Sequence, residues 1–246
     1  LLDEPILLQV ADINGGILFI LALGSLSVYG IFLAGWSSNN KYSLLGALRS
    51  SAQMISYELA LGLAIVVALM AAGDLSLRHI ALSQGESFWN WWIISPKWFV
   101  IPGVLGFFLY MISAFAETNR IPFDLPEAET ELVAGYHTEY SSMKFAMFFM
   151  AEYCHMIVVS SIAVTLFLGG WHAPLEFLPS GGLFGPIWFG LKVFLLLFVF
   201  IWVRGTLPRF RYDQLMSFGW KFMLPLALAN VFLAGGGILL YEMLKG

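Results

Sequence analysis

Six apolar runs, each close to the twenty or so residues that a helix needs to cross a hydrocarbon layer about 30 Å thick, constrain this chain most. They extend from Ile13 to Gly35, Ser51 to Ala72, Trp98 to Ala116, Met143 to Leu168, Leu183 to Val203 and Phe218 to Leu244. Lipid offers the backbone no hydrogen-bond partners, so spanning segments must satisfy themselves, as helices do. The expected fold is all-α: a polytopic transmembrane helix bundle of six spans, one integral membrane domain over residues 1–246. Composition agrees. The chain is 59% hydrophobic and 11% charged, against about 25% charged residues in soluble domains. Its 22 Phe and 9 Trp suit lipid-facing helices with aromatic belts at the interfaces.

The placement of cations sets an expected orientation. Lys41, Arg49, Arg120, Lys144, Arg204, Arg209, Arg211 and Lys221 fall on one side of the spans, and Arg78, Lys97 and Lys245 on the other. By the positive-inside rule the richer side faces the cytoplasm of a bacterial plasma membrane, or the matrix of a mitochondrial inner membrane. The connection 117–142 then lies on that side. The segment from Asp74 to Lys97, with Trp89, Trp91 and Trp92, lies on the other as an interfacial stretch.

That connection is unusual. From Glu117 to Tyr140 it holds six carboxylates, Glu117, Asp124, Glu127, Glu129, Glu131 and Glu139, with Arg120 as the one cation. Pro122 and Pro126 stiffen its first part, and Pro126 suits the first turn of a short helix reaching about Ala134. On such a helix Glu127 and Glu131 are neighbours on one face. Like charges that close raise each other's pKa, so the set can hold protons near neutral pH. The plainer reading is a solvated acidic cap at a helix N-terminus.

Charges also fall inside the spans. Glu58 and Glu152 each lie about 13 Å from the cation-rich side, at 1.5 Å per residue. A charge near the bilayer centre costs about 2.5 kcal/mol or more, so both should face the bundle interior or water. Lys192 stands inside the fifth run, about 18 Å deeper than Arg204. Loop acids, Glu117, Glu58, Glu152 and then Lys192 read as a descending polar track open to one side only, fit to move protons. Structural ion pairing is the plainer account.

Other signals are weaker. The single cysteine, Cys154, excludes an internal disulfide and an iron–sulfur cluster held by this chain's own thiolates. Within an apolar run it reads as a small buried residue. Glu152 and His155 share a helix face, but the one Glu-x-x-His copy falls short of a di-metal bundle, and a hydrogen-bonded histidine is expected. His79, His137 and His172 lack ligand spacing. Gly235, Gly236 and Gly237 lie within a span and suit close packing. The net charge of −4 gives no reason to expect nucleic acid as a partner. The opening, LLDEPILLQVAD, lacks the positive region of a signal peptide and reads as the continuation of something longer.

Three segments carry a resemblance: GWSSNNKYSLLGALRSSAQMISYE (35–58), AETNRIPFDLPEAETELVAGYHTEYSSMKFAMFFMAEY (116–153) and RGTLPRFRYDQLMSFGWK (204–221). In order, they resemble the membrane H-subunit (chain 1) family of proton-pumping NADH:quinone oxidoreductase, respiratory complex I. The ETNR form is similar to the respiratory rather than the photosynthetic type. The resemblance implies an eight-helix membrane subunit, of which this chain carries six spans; the family's further N-terminal helix and amphipathic segment are expected outside it. It implies a non-redox subunit, not catalytic alone, that helps form the quinone-reduction chamber and couples it to proton translocation. No cofactor is then bound by this chain alone. Quinone is a substrate at the subunit interface, and NADH, FMN and iron–sulfur clusters belong to partner subunits. The implied partners are peripheral-arm subunits carrying the terminal cluster, other membrane-arm subunits and the lipid bilayer. By the same resemblance the coupling residues are Glu58, Glu117, Asp124, Glu127, Glu129, Glu131, Glu139 and Glu152, with Glu139 placed on the buried track; Lys192 joins them by its position. The quinone-chamber set is Arg120, Phe123, Asp124, Arg204, Arg209, Arg211 and Asp213.

Three other readings compete. The homologous subunit of a membrane-bound hydrogenase would co-purify with a nickel–iron site. A secondary transporter would show internal repeats, and none is evident. A purely structural anchor leaves the matched buried carboxylates without a reason.

Overall fold

The structure, a computed structural model, describes residues 11–85, 91, 100–124, 135–175, 178 and 184–245. Their helices are α1 (Gly16–Ser37), α2 (Lys41–Ala72), α3 (Leu77–Ser83), α4 (Val100–Glu117), α5 (Ser142–Phe167), α6 (Phe184–Thr206), α7 (Tyr212–Phe218) and α8 (Leu224–Lys245). A 3₁₀ turn, Gly135–His137, precedes α5, and a π-helical turn, Gly219–Met223, joins α7 to α8. No strand occurs among the described residues. Helices α1, α2, α5, α6 and the α7–α8 rod are long and apolar enough to cross a membrane, and α4 is a shorter apolar helix. The protein is a polytopic bundle of membrane helices.

Helix α2 begins at Lys41, ahead of the second apolar run at Ser51, so the residues before that run are helical and not the turn-rich loop that their composition suggests. Asn40 starts the helix, its side chain accepting the Tyr42 N–H at 3.0 Å, which satisfies one of the donors that a first turn leaves open. The small residues that suggest a loop serve close packing instead. A Cβ on Gly46 would stand 2.9 Å from the Gly135 Cα, and Gly35 of α1 lies against Ala47. At the far end Gly73, at φ 69°, closes α2 by donating its N–H to the Leu69 carbonyl at 2.8 Å.

The core forms around α2, which packs against α1, α4 and α8. Tyr57, Leu61, Ala64, Tyr110, Ala163, Phe167 and Met223 are buried together. The two core tyrosines are paired, as an apolar interior requires of buried polar groups. Tyr57 donates to the Leu215 carbonyl and Tyr110 to the Val159 carbonyl, each at 2.9 Å. The outward faces carry Phe194, Phe232, Ile201 and Leu244, all exposed, as lipid-facing side chains should be.

Candidate functional site

Helices α4 and α5 run antiparallel, and both carry an ionisable pair spaced by three residues. Glu117 ends α4 and Arg120 follows it; Glu152 and His155 share one face of α5. Antiparallel order matches them crosswise. His155 Nε2 lies 3.3 Å from Glu117 Oε1, and Arg120 Nη2 lies 3.4 Å from Glu152 Oε2. The Arg120 guanidinium also stands 4.5 Å from the centre of the Tyr153 ring, and Tyr136 donates its hydroxyl to Glu152 at 3.3 Å. Helix α1 closes the other flank. Ser25 donates to the Glu58 carboxylate, and the adjacent Gly24 presents its bare backbone toward Glu117 Oε1. Glu58, Glu117 and Glu152 therefore gather where α1, α2, α4 and α5 meet, each held by a partner from another segment. Neither Glu58 nor Glu152 points to acyl chains alone.

The segment between α4 and α5 starts and ends inside the bundle, because α4 stops beside Gln53, well short of the first turns of α2. Buried Gln53 donates from Nε2 to the Ala116 carbonyl at 2.9 Å and the Phe123 carbonyl at 2.8 Å. Phe123 packs on Tyr57 and Phe210, at 5.6 and 5.7 Å between ring centres. Asp124, 6% exposed, accepts from Arg209 Nη2 at 3.1 Å, and Phe210 N–H donates to the Pro122 carbonyl at 3.1 Å. The stretch after α6 is thereby tied to the one after α4. Beside this junction lies a cavity of about 260 Å³ lined by Phe123, Phe210, Gln214, Leu215 and Phe218. At the segment's other end Gly135, Tyr136 and His137 are buried against α1 and α2. Burial among Phe145, Phe148 and Phe149 pushes the His137 imidazole down to about 4.

The remaining expected site residues divide. Arg211 and Asp213 pair with each other at 3.3 Å, with both side chains 73% exposed, and Arg204 is exposed at the end of α6; none of the three lines the cavity. Glu127, Glu129 and Glu131, and the short helix expected from Pro126, lie outside the described residues. Glu139 corrects an expectation. It is exposed, not buried, and accepts from Asn40 Nδ2 at 2.9 Å beside the start of α2, because the chain turns outward after the buried His137.

Lys192 lies further in than the three glutamates, as expected, and has partners of its own. Its ammonium donates to the carbonyls of Leu168, Gly170 and His172 at 2.7, 2.9 and 2.7 Å and stands 4.1 Å from the Trp91 ring centre. It crowns the C-terminal end of α5, where the open carbonyls and helix dipole attract a cation, whereas Glu58, Glu117 and Glu152 lie toward the opposite end. Cys154 is exposed, against the expectation of burial: the packed face of α5 is the one carrying Met156, Val159 and Ala163, and Cys154 points away from it. His155, expected to be hydrogen-bonded, instead stands at ion-pair distance from Glu117, and its buried Nε2 makes no hydrogen bond among the described residues.

Reasoning from the sequence missed Ser25, Gly24, Tyr136 and the cavity wall of Phe210, Gln214, Leu215 and Phe218. The matching three-residue spacings, Glu117 to Arg120 past the end of α4 and Glu152 to His155 on α5, were the signal available for the crosswise contacts. Ser25 and Gly24 carried none, since small residues in an apolar run are ordinary.

Chemically, the arrangement brings three carboxylates, an imidazole and a phenol together inside the bundle. It also offers an aromatic-walled cavity with an Asp–Arg pair beside it. These features define an integral membrane bundle with an ionisable cluster inside it. The chain belongs to the NADH dehydrogenase family: the profile of that description matches residues 3–235. It is similar to the NADH-quinone oxidoreductase H-subunit numbered 2 of Koribacter versatilis, 62% identical across 91% of this chain and 62% of the relative. The corresponding H-type relative in Protochlamydia amoebophila is 55% identical across 92% of this chain and 64% of its own length. That of Rhodospirillum centenum is 50% identical across 96% and 68%. The chain thus spans less than two thirds of the first two relatives. The resemblance carried by the three motifs holds at the level of the family.

Proposed function

We propose that this chain is a membrane subunit of a proton-pumping NADH:quinone oxidoreductase that forms one wall of the quinone-reduction chamber and links that chamber to proton translocation. The observation that carries the reading is the adjacency of two features. Asp124 and Phe123, at the aromatic cavity, follow Arg120 and Glu117 of the carboxylate cluster within a few residues of chain. A change of charge at a bound quinone therefore acts on the cluster through a short, hydrogen-bonded segment. Names given to the relatives support the same reading.

In this account Phe123 and the Asp124–Arg209 pair border the quinone, while Glu58, Glu117 and Glu152 exchange protons. Arg120 lies against Glu152 at 3.4 Å. The exposed Arg204, Arg211 and Asp213 meet peripheral-arm subunits, and the acids Glu127, Glu129 and Glu131 belong to the proton-coupling set. Those partners carry NADH, FMN and the iron–sulfur clusters; this chain supplies no redox centre. The end of the bundle holding the α1–α2 turn faces the cytoplasm or matrix.

The test is Glu58→Gln and Glu152→Gln in the assembled enzyme, with quinone-linked proton translocation measured in vesicles. Both variants should lower translocation several-fold. Wild-type turnover and translocation in both would refute the coupling role. Co-purification with a nickel–iron subunit in place of a quinone reductase would replace the quinone.

A further inference from the structure

Within that proposed role, the cluster contains one group that the carboxylate reading leaves idle. His155 is the cluster's imidazole. Its Nε2 lies 3.3 Å from Glu117 Oε1, and it stands one turn along α5 from Glu152, which Arg120 holds. Among the described residues the second oxygen of Glu117 is buried without a hydrogen bond, and so is His155 Nε2, whose approach to Oε1 is at ion-pair distance. A buried carboxylate with one oxygen unpartnered is costly unless a positive charge or a proton offsets it. Both remedies sit on the same short gap: an imidazolium beside the carboxylate, or a neutral imidazole beside the carboxylic acid.

We propose that His155 is a proton-carrying residue that exchanges a proton with Glu117 and so joins the α4 and α5 arms of the cluster. In the step, the Nε2–H bond of the imidazolium breaks and an O–H bond forms at Glu117 Oε1. The electron pair of the broken bond stays on nitrogen, and the ion pair becomes a neutral acid–imidazole pair. Reversal returns the proton, and no oxidant or reductant is needed. An imidazole suits this exchange because its ring nitrogen can both give and accept a proton.

The groups around His155 shape the step. Glu117 and Arg120 face it from the end of α4, and Glu152 shares its helix. Glu58 on α2 closes the cluster from the α1 side through Ser25. Tyr136 is engaged with Glu152, and Tyr110, two turns earlier on α4, gives its hydroxyl to the Val159 carbonyl. Glu117 is thus the cluster's direct contact for the imidazole.

The test uses the assembled enzyme in vesicles, with the rate of NADH-driven proton translocation followed across pH and in deuterated water. His155→Asn keeps a polar side chain but cannot titrate. The variant should slow translocation at least five-fold, lose one titration from the pH profile and lower the solvent isotope effect. Glu117→Gln should remove the same titration, and the double variant should be no slower than the worse single one. A His155→Asn enzyme with the wild-type rate, pH profile and isotope effect overturns the proposal. Should His155→Asn fail to assemble, Glu117→Gln decides alone: loss of the titration upholds the step and its retention overturns it. Slow translocation in Glu58→Gln and Glu152→Gln with an unaltered His155→Asn enzyme defeats this inference only. Wild-type behaviour in the two glutamate variants defeats the coupling role itself.

Discussion

Arg120 and Glu152 meet at 3.4 Å across the α4–α5 contact, with side chains 10% and 14% exposed. Such a pair is costly to break and cheap to remove whole, because truncating one partner strands a charge in a poor solvent for it. Arg120→Met should cost about 3 kcal/mol or more, while the double variant Arg120→Met, Glu152→Met should recover most of that. Thermal denaturation of the detergent-purified protein checks this. A double variant that loses the sum of the two single losses would mean that the pair contributes no coupling.

Lys192 should be a fastening point at the far end of α5 rather than a proton carrier. Its ammonium serves three carbonyls and the Trp91 ring. Lys192→Met leaves those carbonyls without their donor, at about 1–3 kcal/mol per stranded group. We expect a lower melting temperature and earlier proteolysis near residues 168–175. A variant as stable as the parent would show that water replaces the ammonium at no cost.

Gly46→Ala should disrupt the contact with the 3₁₀ turn. The added methyl would stand 2.9 Å from Gly135 Cα and 3.1 Å from Tyr136 N, both backbone atoms with little freedom to retreat. Overpacking of this kind costs about 1–3 kcal/mol. Gly62→Ala, where nothing lies within 4 Å, is the control and should be neutral or slightly stabilising.

His137 should remain neutral at physiological pH. Its imidazole is depressed from 6.5 to about 4 by burial. The unfolded chain takes up this proton near pH 6.5 and the folded chain only near 4. The stability it contributes is complete above 6.5 and is lost as pH falls through that window. Melting temperatures from pH 8 to pH 4 should drop more steeply for the parent than for His137→Phe. Parallel curves would contradict the assignment.

Arg209→Met should weaken quinone use if the aromatic cavity is the chamber wall. The substitution removes the 3.1 Å contact that positions Asp124 beside Phe123 and Phe210. A several-fold rise in KM for quinone, larger than the fall in kcat, is expected in steady-state assays of the assembled enzyme. A change confined to kcat would place the pair on the proton side of the mechanism.

The fold was legible because lipid enforces a blunt rule: long apolar runs with polar breaks can only be helices. Where that rule lapses, legibility fell. The first turns of α2 combine Ser, Gly and Ala with charges, and their helicity rests on the Asn40 cap and on close packing against Gly35 and Gly135. Glu58 and Glu152 were recognisable as inward-facing from cost alone. Their partners were not, because pairing depends on helix order and rotation: Ser25 and Arg120 come from segments distant in sequence. Glu139 went astray for the same reason. Depth along a helix says how far a charge lies from an interface, but not which helix end or cap receives it.

Helix α2 has a further consequence. Its 32 residues make a rod of about 48 Å. Even tilted by 40°, it would rise about 37 Å, beyond the roughly 30 Å of acyl chains. One end must stand among the lipid headgroups or in water, and the charged start at Lys41, with Asn40 clasping Glu139, is the end dressed for it. The start of α2 therefore stands proud of the oily layer, its charged first turn bathed by headgroups or water.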